Sequence, residues 1–513
     1  MYGDLRINKF LSADKDLARP SPAQVVWQDL EIGAMICIGL ETYLGVETDF
    51  GANMDILKMF NPTKLDTDNW IDVAQSFGAK YIIIVAKHAG GFCLWQTDTS
   101  EYSVKNTPWR HGKGDILADL SQSCQKRRMK LGVYLSPVDE FLGAYYGGSG
   151  KCQTEEEQTR YNEIYRRQLI ELLTQYGEMM EVWFDGSLIV DVSDIIQKYA
   201  SKAMIFQGPH ATIRWVGNER GYAPYPVWNP VTKADAVSGV ATSRHSNPDA
   251  DTWLPIEVDT VIRDHFWFWN DQNSKQLKTF ELLLEIYYRS VGHGTNLLLN
   301  ITPDDTGLIP KVDAKRAADL GAEIKKRFSK SIADTHGGGE VIELTLPQPT
   351  DIDHVITTED IAEGQRIREY NIEGCIDGNW RRICSGTSIG HKKIDQFEPV
   401  KVSKIRLSCT ESADVPIIRK FAAYNTGADL IKFTLGMTQE CTFERVELWH
   451  PGMLVDDWTT LEYDLSAFIP DPTQYEVNLV KEAGNHELEV KSAMLLLDGR
   501  ESPDFIEQLL RAC

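Results

Sequence analysis

The amino-acid sequence predicts an α/β protein in which a (β/α)8-like barrel is followed by two β-sandwich-type domains. From about residue 25 to 330, short apolar runs alternate with longer amphipathic stretches, a pattern that indicates repeated strand–helix units. After residue 340 the pattern changes to short β-type runs bounded by turn residues, which is typical of sandwiches. The 513 residues also exceed what one hydrophobic core usually holds. We therefore expect three domains, at residues 1–330, 340–425 and 426–513.

Eight apolar runs are short and continuous enough to be strands buried on both faces, as parallel barrel strands are. They lie at 34–38, 81–86, 131–135, 181–184, 203–206, 213–216, 257–262 and 296–301. Apolar residues at three-to-four spacing predict helices between and after these strands. The helical stretches are 68–77, 115–127, 155–176, 275–290 and 312–329. Residues 207–252 are rich in Gly, Pro and Asn, so we expect mainly irregular loop there.

The segment 336–339, which reads His-Gly-Gly-Gly, indicates a linker or turn between the barrel and the first sandwich. Beyond it, β-type runs occur at 341–346, 354–357, 367–372 and 404–408. The same texture returns from about residue 426, where 475–479 and 488–497 alternate in the manner of half-buried strands. The sequence therefore predicts a second small β domain at its end.

Charge and composition exclude several classes of partner. The chain has 53 Lys and Arg against 75 Asp and Glu, a net charge of −22, which argues against nucleic acids and anionic membranes. No run approaches the roughly 20 apolar residues of a membrane span. A neutral substrate fits better, and the 13 Trp and 19 Tyr offer aromatic faces suited to the C–H faces of sugars. A carbohydrate is therefore the expected partner.

The nine Cys residues are scattered, without a Cys-x-x-Cys pair or a His/Cys cluster at zinc-ligand spacing. We therefore expect no metal, no cofactor and no disulfide framework. Residues 1–18 carry charges throughout and lack an apolar segment, so no secretory signal peptide is expected in this sequence.

Two carboxylates in apolar surroundings point to catalysis. Asp185 ends the run 181–184 and is followed by Gly186, and a carboxylate at the C-terminal end of a barrel strand is where barrel enzymes place their chemistry. The alternative is an ordinary hairpin turn, which Asp-Gly also favours. Glu257, among the apolar and aromatic residues 253–259, supplies the second carboxylate that glycosidic bond cleavage requires.

Taken in order, the motifs between about residues 25 and 330 resemble glycoside hydrolase family 29, the retaining α-L-fucosidases, and particularly the branch that acts on α-1,3/1,4 linkages. The resemblance rests on FNPTKLD (60–66), FCLW (92–95), YSVK (102–105), GKGD (112–115), GVYLSP (132–137), EVWFDG (181–186), RWVGNE (214–219), WLPIEVD (253–259), SVG (290–292) and LLLN (297–300). It implies that residues 340–425 form a discoidin-like sandwich of the carbohydrate-binding-module type. It also implies a periplasmic or secreted location if a signal peptide has been removed.

The resemblance implies that Asp185 is the nucleophile and Glu257 the acid/base. In a retaining cycle the nucleophile must be ionised and the acid must start protonated. Trp253 and the aromatic run 266–269 would raise the pKa of Glu257 by desolvation, as a general acid needs. Glu219 is the reserve candidate for the acid/base, because it lies in a loop within a motif shared with the family.

Further side chains are candidates for binding the sugar, and each has a structural alternative. His88 would hydrogen-bond a hydroxyl or be a satisfied structural residue, and Arg263 would bind a hydroxyl, steady a carboxylate or form an exposed salt bridge. Aromatic pocket walls are equally well explained as core or as support beneath a loop. These aromatic candidates are Trp95, Tyr134 and Trp183. Glu47 resembles an acid of the family pocket.

The sequence departs from the family at two positions in the sugar pocket. Cys37 and Ala89 stand where family members usually carry His, so two imidazole contacts to the sugar hydroxyls are missing. Three functions therefore remain open. They are an exo-glycosidase that releases α-L-fucose, a glycosidase for a related sugar of the L-galactose or D-arabinopyranose type, and a catalytically silent carbohydrate-binding homologue. The presence of both carboxylates argues against the last.

Overall fold

The computed structural model describes residues 17–49, 51, 54–146, 149–263, 266–270, 276–435, 496–497 and 500–501. The chain divides into two compact units between Lys432 and Phe433. Nearly all described residues belong to the first unit, which contains the barrel and a β-sandwich.

Eight parallel strands form the barrel, and each coincides with one of the predicted apolar runs. In chain order, the first six barrel strands are β1 (Ile32–Ile36), β2 (Tyr81–Lys87), β3 (Lys130–Leu135), β4 (Met179–Trp183), β5 (Met204–Phe206) and β6 (Arg214–Trp215). The next two strands, β7 (Pro230–Val231) and β8 (Thr252–Trp253), pair with each other and are not part of the barrel sheet. The barrel is completed by β9 (Ile256–Val261) and β10 (Asn296–Asn300). Its order is β5-β4-β3-β2-β1-β10-β9-β6, and a parallel bridge from Phe206 to Ile213 closes the ring. The predicted barrel is confirmed.

Nine α-helices occur in the described part of the chain. They are α1 (Pro22–Gln28), α2 (Leu40–Leu44), α3 (Thr67–Ser76), α4 (Ile116–Arg127), α5 (Glu155–Gln175), α6 (Ser193–Tyr199), α7 (Lys233–Ser238), α8 (Phe280–Arg289) and α9 (Lys311–Phe328). Side-chain caps fix several of the starts. Thr154 and Glu157 form a capping box at α5, and Thr279 accepts from the Leu282 amide and begins α8, five residues after the predicted start.

The N-terminal end of the barrel is closed by Trp27 of α1. Its indole Nε1 donates to Oε2 of Glu181 at 2.8 Å, and its carbonyl accepts from Nδ2 of Asn296 at 2.9 Å. Further along the barrel axis, Trp183 and Phe206 stack with ring centroids 3.5 Å apart. Side chains therefore fill the interior, as in other barrels of eight strands, and only the C-terminal end of the barrel is left for a site.

A six-stranded antiparallel sheet follows the barrel. Its strands are β11 (Ala333–Gly338), β12 (Val341–Glu359), β13 (Ile367–Ile376), β14 (Asn379–Gly386), β15 (Lys393–Ser412) and β16 (Ile417–Tyr424), in the order β11-β16-β12-β15-β13-β14. The pairing of β12 with β15 shifts register between Thr345 and Thr350. The first half of β12 pairs with the part of β15 that also pairs with β13, whereas the second half of β12 pairs with β16. The two halves of the long strands therefore belong to different layers, and the sheet folds over as a sandwich. Its apolar core includes Ile342, Ile352, Tyr370, Leu407 and Phe421.

The prediction of a linker at 336–339 was wrong. Residues 336–338 belong to β11, which pairs with β16, and only Gly339, with a φ of +119°, has the backbone conformation of a turn that favours glycine. The β domain predicted at 426–513 lies mostly outside the described residues. Within it, β17 (Leu496–Leu497) and β18 (Arg500–Glu501) form a short antiparallel pair.

Candidate active site

Asp185 lies at the C-terminal end of the barrel, two residues after the end of β4. Its φ of +43° is uncommon for a residue other than glycine, and Gly186 follows with a φ of +102°. This sharp turn leaves the Asp185 side chain exposed, and Tyr134 of the neighbouring β3 donates its hydroxyl to Oδ2 at 2.8 Å. The amide of Gly186 donates to Oε1 of Gln207, which fixes the turn from the other side. Strained backbone held by its neighbours is a common property of functional positions.

His88 follows β2 and lies beside Tyr134. Its Nδ1 is 3.3 Å from Oε1 of the buried Glu41, and its ring stacks on that of Tyr134 with centroids 6.0 Å apart. Burial lowers the pKa of His88, but the carboxylates of Glu41, Asp185 and Glu47 outweigh this effect and raise it overall. These three acids and the imidazole therefore face one another at the same end of the barrel.

Trp267, from the segment after β9, connects two further acids to this group. Its backbone amide donates to both carboxylate oxygens of Glu47, at 3.1 and 3.2 Å, and its indole Nε1 donates to Oε2 of Glu219 at 3.2 Å. Desolvation raises the pKa of Glu47 to about 7. Desolvation also raises the pKa of Glu219, and although the Trp267 hydrogen bond lowers it, the nearby Asp185 carboxylate raises it further. Glu219 is thus an exposed acid within electrostatic reach of Asp185.

Cys37, just after β1, lies close to the same acids. Burial raises the pKa of its thiol well above the ordinary value, and the carboxylates of Glu47, Glu41 and Asp185 add to the rise. The side chain therefore stays a neutral thiol, which is a much weaker hydrogen-bond donor than an imidazole. Ala89 follows His88, and its carbonyl accepts from the amide of Glu140 at 2.9 Å.

Glu257 does not lie with Asp185. It is the second residue of β9, near the N-terminal end of the barrel, and it is 0 % exposed. Its Oε1 accepts from the Tyr81 hydroxyl at 2.6 Å and its Oε2 from the Trp183 indole at 3.0 Å. Burial, together with the neighbouring Glu181 carboxyl, raises the pKa of Glu257 well above its ordinary range. The raised pKa expected of an acid is present, but the carboxyl is enclosed by core side chains.

Three predicted sugar-binding side chains are buried and engaged with other side chains of the fold. Trp183 is buried against Phe206 inside the barrel. Trp95 is fully buried and donates its Nε1 to Oε2 of Glu171 on α5 at 2.8 Å. Arg263 is buried in a two-bond ion pair with Asp313 of α9, at 2.7 and 2.5 Å. The two tryptophans therefore have the core or supporting positions that were considered as alternatives to sugar binding. Arg263 forms a salt bridge, as its own alternative proposed, but the salt bridge is buried and not exposed.

The structure adds site residues that the sequence analysis did not select. Glu41 lies in α2 after β1, and Phe268 packs edge-on against His88 with centroids 5.2 Å apart. Trp267 belongs to an aromatic run that the sequence analysis considered only as an environment for Glu257. The sequence did contain one indication of a functional role for Glu41, Trp267 and Phe268: each lies within a few residues of the end of a barrel strand.

In the described ranges, no group of three or more His, Cys, Asp and Glu side chains could hold a metal ion. None of the helices described is both long and apolar enough to cross a membrane.

Comparison with known proteins decides the family. The family model described as alpha-L-fucosidase matches residues 40–327, more than half of the chain. The chain belongs to the alpha-L-fucosidase family. Alpha-L-fucosidase 1 of Arabidopsis thaliana is 30% identical over 458 residues, which cover 80% of this chain and 88% of the relative. This alpha-L-fucosidase family member is therefore a glycoside hydrolase, as the sequence analysis predicted.

Solved structures of this family share the fold. A putative alpha-L-fucosidase from Bacteroides thetaiotaomicron is 33% identical with a TM-score of 0.74, over 80% of this chain and 99% of that one. A glycoside hydrolase 29 fucosidase from Ruminococcus gnavus, solved in complex with fucose, is 27% identical with a TM-score of 0.71, over 81% and 97% of the two chains.

Proposed function

We propose that the protein is an exo-acting, retaining α-L-fucosidase that releases terminal α-L-fucose from oligosaccharides or glycoconjugates. The observation that carries this proposal is the placement of Asp185 at the C-terminal end of the barrel, hydrogen-bonded by Tyr134 and close to the exposed acid Glu219. The family relationship supports fucose as the sugar, and one solved relative holds fucose.

We assign the acid/base role to Glu219 in preference to Glu257. A general acid must reach the leaving oxygen and must be protonated at the start of the cycle. Glu219 is exposed, and its raised pKa favours the protonated form. Glu257 meets the second requirement, but its carboxyl is enclosed by Tyr81 and Trp183 and has no surface on which to meet a substrate.

The proposed cycle has two steps. The Asp185 carboxylate attacks the anomeric carbon while Glu219 gives its proton to the glycosidic oxygen, so the bond to the aglycone breaks and a fucosyl-enzyme ester forms. Glu219, now ionised, takes a proton from water, the water oxygen attacks the anomeric carbon, and the Asp185 carboxylate leaves. His88, Glu41 and Glu47 would hold the sugar hydroxyls, because they provide hydrogen-bond donors and acceptors at the same end of the barrel as Asp185.

Chemical rescue of D185G, E219A and E257A, together with the turnover of E257Q, tests these assignments. With 4-nitrophenyl α-L-fucoside, D185G should lose at least about 1,000-fold in turnover, and azide should restore it and yield the β-fucosyl azide. E219A should be rescued by azide with formation of the α-fucosyl azide, because azide then attacks the fucosyl-enzyme. E257Q should retain turnover within about tenfold. Rescue of an E257A variant to the α-azide, with none for E219A, would instead give the acid/base role to Glu257.

A related glycone is the second candidate, and the buried Cys37 thiol beside Glu41 and Glu47 is the observation that favours it. L-Galactose and D-arabinopyranose share most of the ring stereochemistry of fucose and differ at C5. A wild-type protein that hydrolyses one of these aryl glycosides faster than the fucoside would establish this function. A protein inactive on all three would indicate the silent carbohydrate-binding homologue.

We further propose a preference for α-1,3/1,4 linkages and a sugar-binding role for the β-sandwich, both of which rest on the resemblance in sequence. The first is tested by comparing release of fucose from α-1,3- or α-1,4-fucosylated N-acetylglucosamine with release from α-1,2-fucosylated galactose. Equal rates on both would contradict the preference. The second requires oligosaccharide binding by the full chain that persists after the barrel site is blocked with a fucose-like inhibitor.

A further inference from the structure

The loop that follows β3 presents two exposed aromatic side chains. Tyr145 and Tyr146 stack with ring centroids 4.6 Å apart and an interplanar angle of 20°, although they are 47% and 38% exposed. Single exposed apolar residues are common on protein surfaces, but a stacked aromatic pair forms a continuous face that is suited to binding.

This loop is anchored to the barrel by a buried ion pair. Nζ of Lys87, the last residue of β2, lies 2.8 Å from Oδ2 of Asp139, and the two side chains are 0% and 1% exposed. The backbones of Asp139 and Ala144 exchange two hydrogen bonds, at 3.1 and 2.8 Å, directly before the tyrosines. The ring of Phe141, in the same loop, stacks on the ring of the buried Tyr102. The backbone that leads to the tyrosine pair is therefore held to the barrel by hydrogen bonds, an ion pair and ring packing, and such anchoring lowers the entropy lost on binding.

The same loop borders the candidate active site. The amides of Glu140 and Phe141 donate to the carbonyls of Ala89 and Gly90, which directly follow His88. On its other side, Ser149 accepts from the amide of the exposed Ile189, in the segment that follows Asp185. The tyrosine pair therefore belongs to a rim loop between the two segments that carry His88 and Asp185.

We propose that Tyr145 and Tyr146 form the platform for the sugar to which fucose is attached, whose C–H face packs against the two rings. This proposal rests on the proposed function, since the fucose held near Asp185 leaves the next residue of the substrate at the rim. The exposed, stacked pair provides an apolar face, which suits an uncharged hexose or N-acetylhexosamine. The preferred substrates are then fucosylated oligosaccharides, not simple fucosides.

The test compares two substrates in the Y145A/Y146A variant. One is a trisaccharide with fucose on N-acetylglucosamine, and the other is α-L-fucosyl fluoride, whose leaving group has no ring to stack. We expect kcat/KM for the trisaccharide to fall by about tenfold or more and kcat/KM for the fluoride to stay unchanged. Y145F/Y146F should retain most of the activity on the trisaccharide, because the rings remain. Tyr199→Ala, which removes an exposed tyrosine from the far end of α6, is the matched control.

An equal loss on both substrates, or no loss on either, would overturn the platform. Hydrolysis of neither substrate by the wild-type protein would overturn the proposed function instead. In that case the platform is decided by calorimetric binding of the defucosylated disaccharide to the same proteins. Weaker binding by Y145A/Y146A than by the wild type and Tyr199→Ala supports it, and equal binding by all three contradicts it.

Discussion

The Tyr134 hydroxyl donates a 2.8 Å hydrogen bond to Oδ2 of Asp185 and thereby orients the carboxylate at the end of the barrel. Burial and the adjacent Asp185 charge raise the pKa of Tyr134 well above its ordinary value, so the phenol keeps its proton and remains a donor. This contact joins the ends of two neighbouring strands, β3 and β4. It makes the position of the Asp185 carboxylate depend on the register of these two strands.

The first prediction is that Tyr134→Phe lowers kcat/KM for an aryl α-L-fucoside by about 10- to 100-fold, since a hydrogen bond to a charged group typically contributes about 1.5–3 kcal/mol. Tyr102→Phe is the control, because it removes a similar hydroxyl-to-carboxylate hydrogen bond, to Oδ2 of Asp49 at 3.1 Å, without touching Asp185. Steady-state kinetics and thermal unfolding of both variants make the comparison. Equal losses in the two would show that the Tyr134 contact has no special role.

The second prediction concerns the buried carboxyls Glu181 and Glu257. Burial raises the pKa of Glu181 to about 7 and that of Glu257 well above its ordinary range. The folded state therefore binds more protons than the unfolded state above about pH 4.5, and stability falls as the pH rises through 7. Glu181→Gln cannot ionise, so the loss of unfolding free energy between pH 5 and 8 should shrink by roughly 1–3 kcal/mol. Urea unfolding at the two pH values measures it.

Glu343→Gln serves as the control for this experiment, because Glu343 is exposed on the β-sandwich. It should show the same pH dependence as the wild-type protein. A Glu181→Gln variant whose stability falls with pH as steeply as that of the control would contradict the raised pKa of the buried pair.

The third prediction is that Arg263 stabilises the fold and does not bind the sugar. Arg263→Met leaves Asp313 without the buried ion pair at its side, which should lower the unfolding free energy by about 3–5 kcal/mol and leave KM unchanged. Lys315→Met on the same helix breaks an exposed ion pair with Asp319 and should cost less than about 1 kcal/mol. A raised KM with unaltered stability in Arg263→Met would support the sugar-binding role that the sequence suggested.

The fourth prediction is that Cys37 and Ala89 determine which sugar is preferred. Cys37→His with Ala89→His restores two imidazoles and should raise kcat/KM for the aryl α-L-fucoside by about tenfold or more relative to the L-galactoside and D-arabinopyranoside. The comparison needs all three substrates. An equal change in kcat/KM for all of them would indicate an altered fraction of folded protein and not an altered sugar preference. A wild-type protein that already strongly prefers the fucoside, with no gain in the double variant, would show that these positions do not define the substrate.

The sequence predicted the barrel well because its strands are buried on both faces. Each of the eight apolar runs became a strand, with ends displaced by one or two residues. The same signal led to the selection of Asp185, since it directly follows such a run. The expectation for Glu257 overlooked information that was already present, because the predicted strand 257–262 begins with that residue. A residue at the start of a parallel strand lies at the opposite end of the barrel from one that follows a strand.

Other positions depended on partners that the sequence does not reveal. Trp95 is buried because it meets Glu171 on α5, and Arg263 is buried because it meets Asp313 on α9. Both partners lie far away along the chain, so local pattern could not distinguish an exposed side chain from a paired one. The exposed tyrosine pair was missed because exposure depends on how the loop is anchored.

The pairing of β1 with β10 has a consequence during synthesis. Ile32 pairs with Leu297, so one edge of the first strand has no partner until most of the barrel sequence has been translated. At roughly 5–20 residues per second, that interval is on the order of tens of seconds. An apolar strand edge exposed for so long can pair with other nascent chains. Expression yield should therefore depend on translation speed and on chaperones that cover this edge.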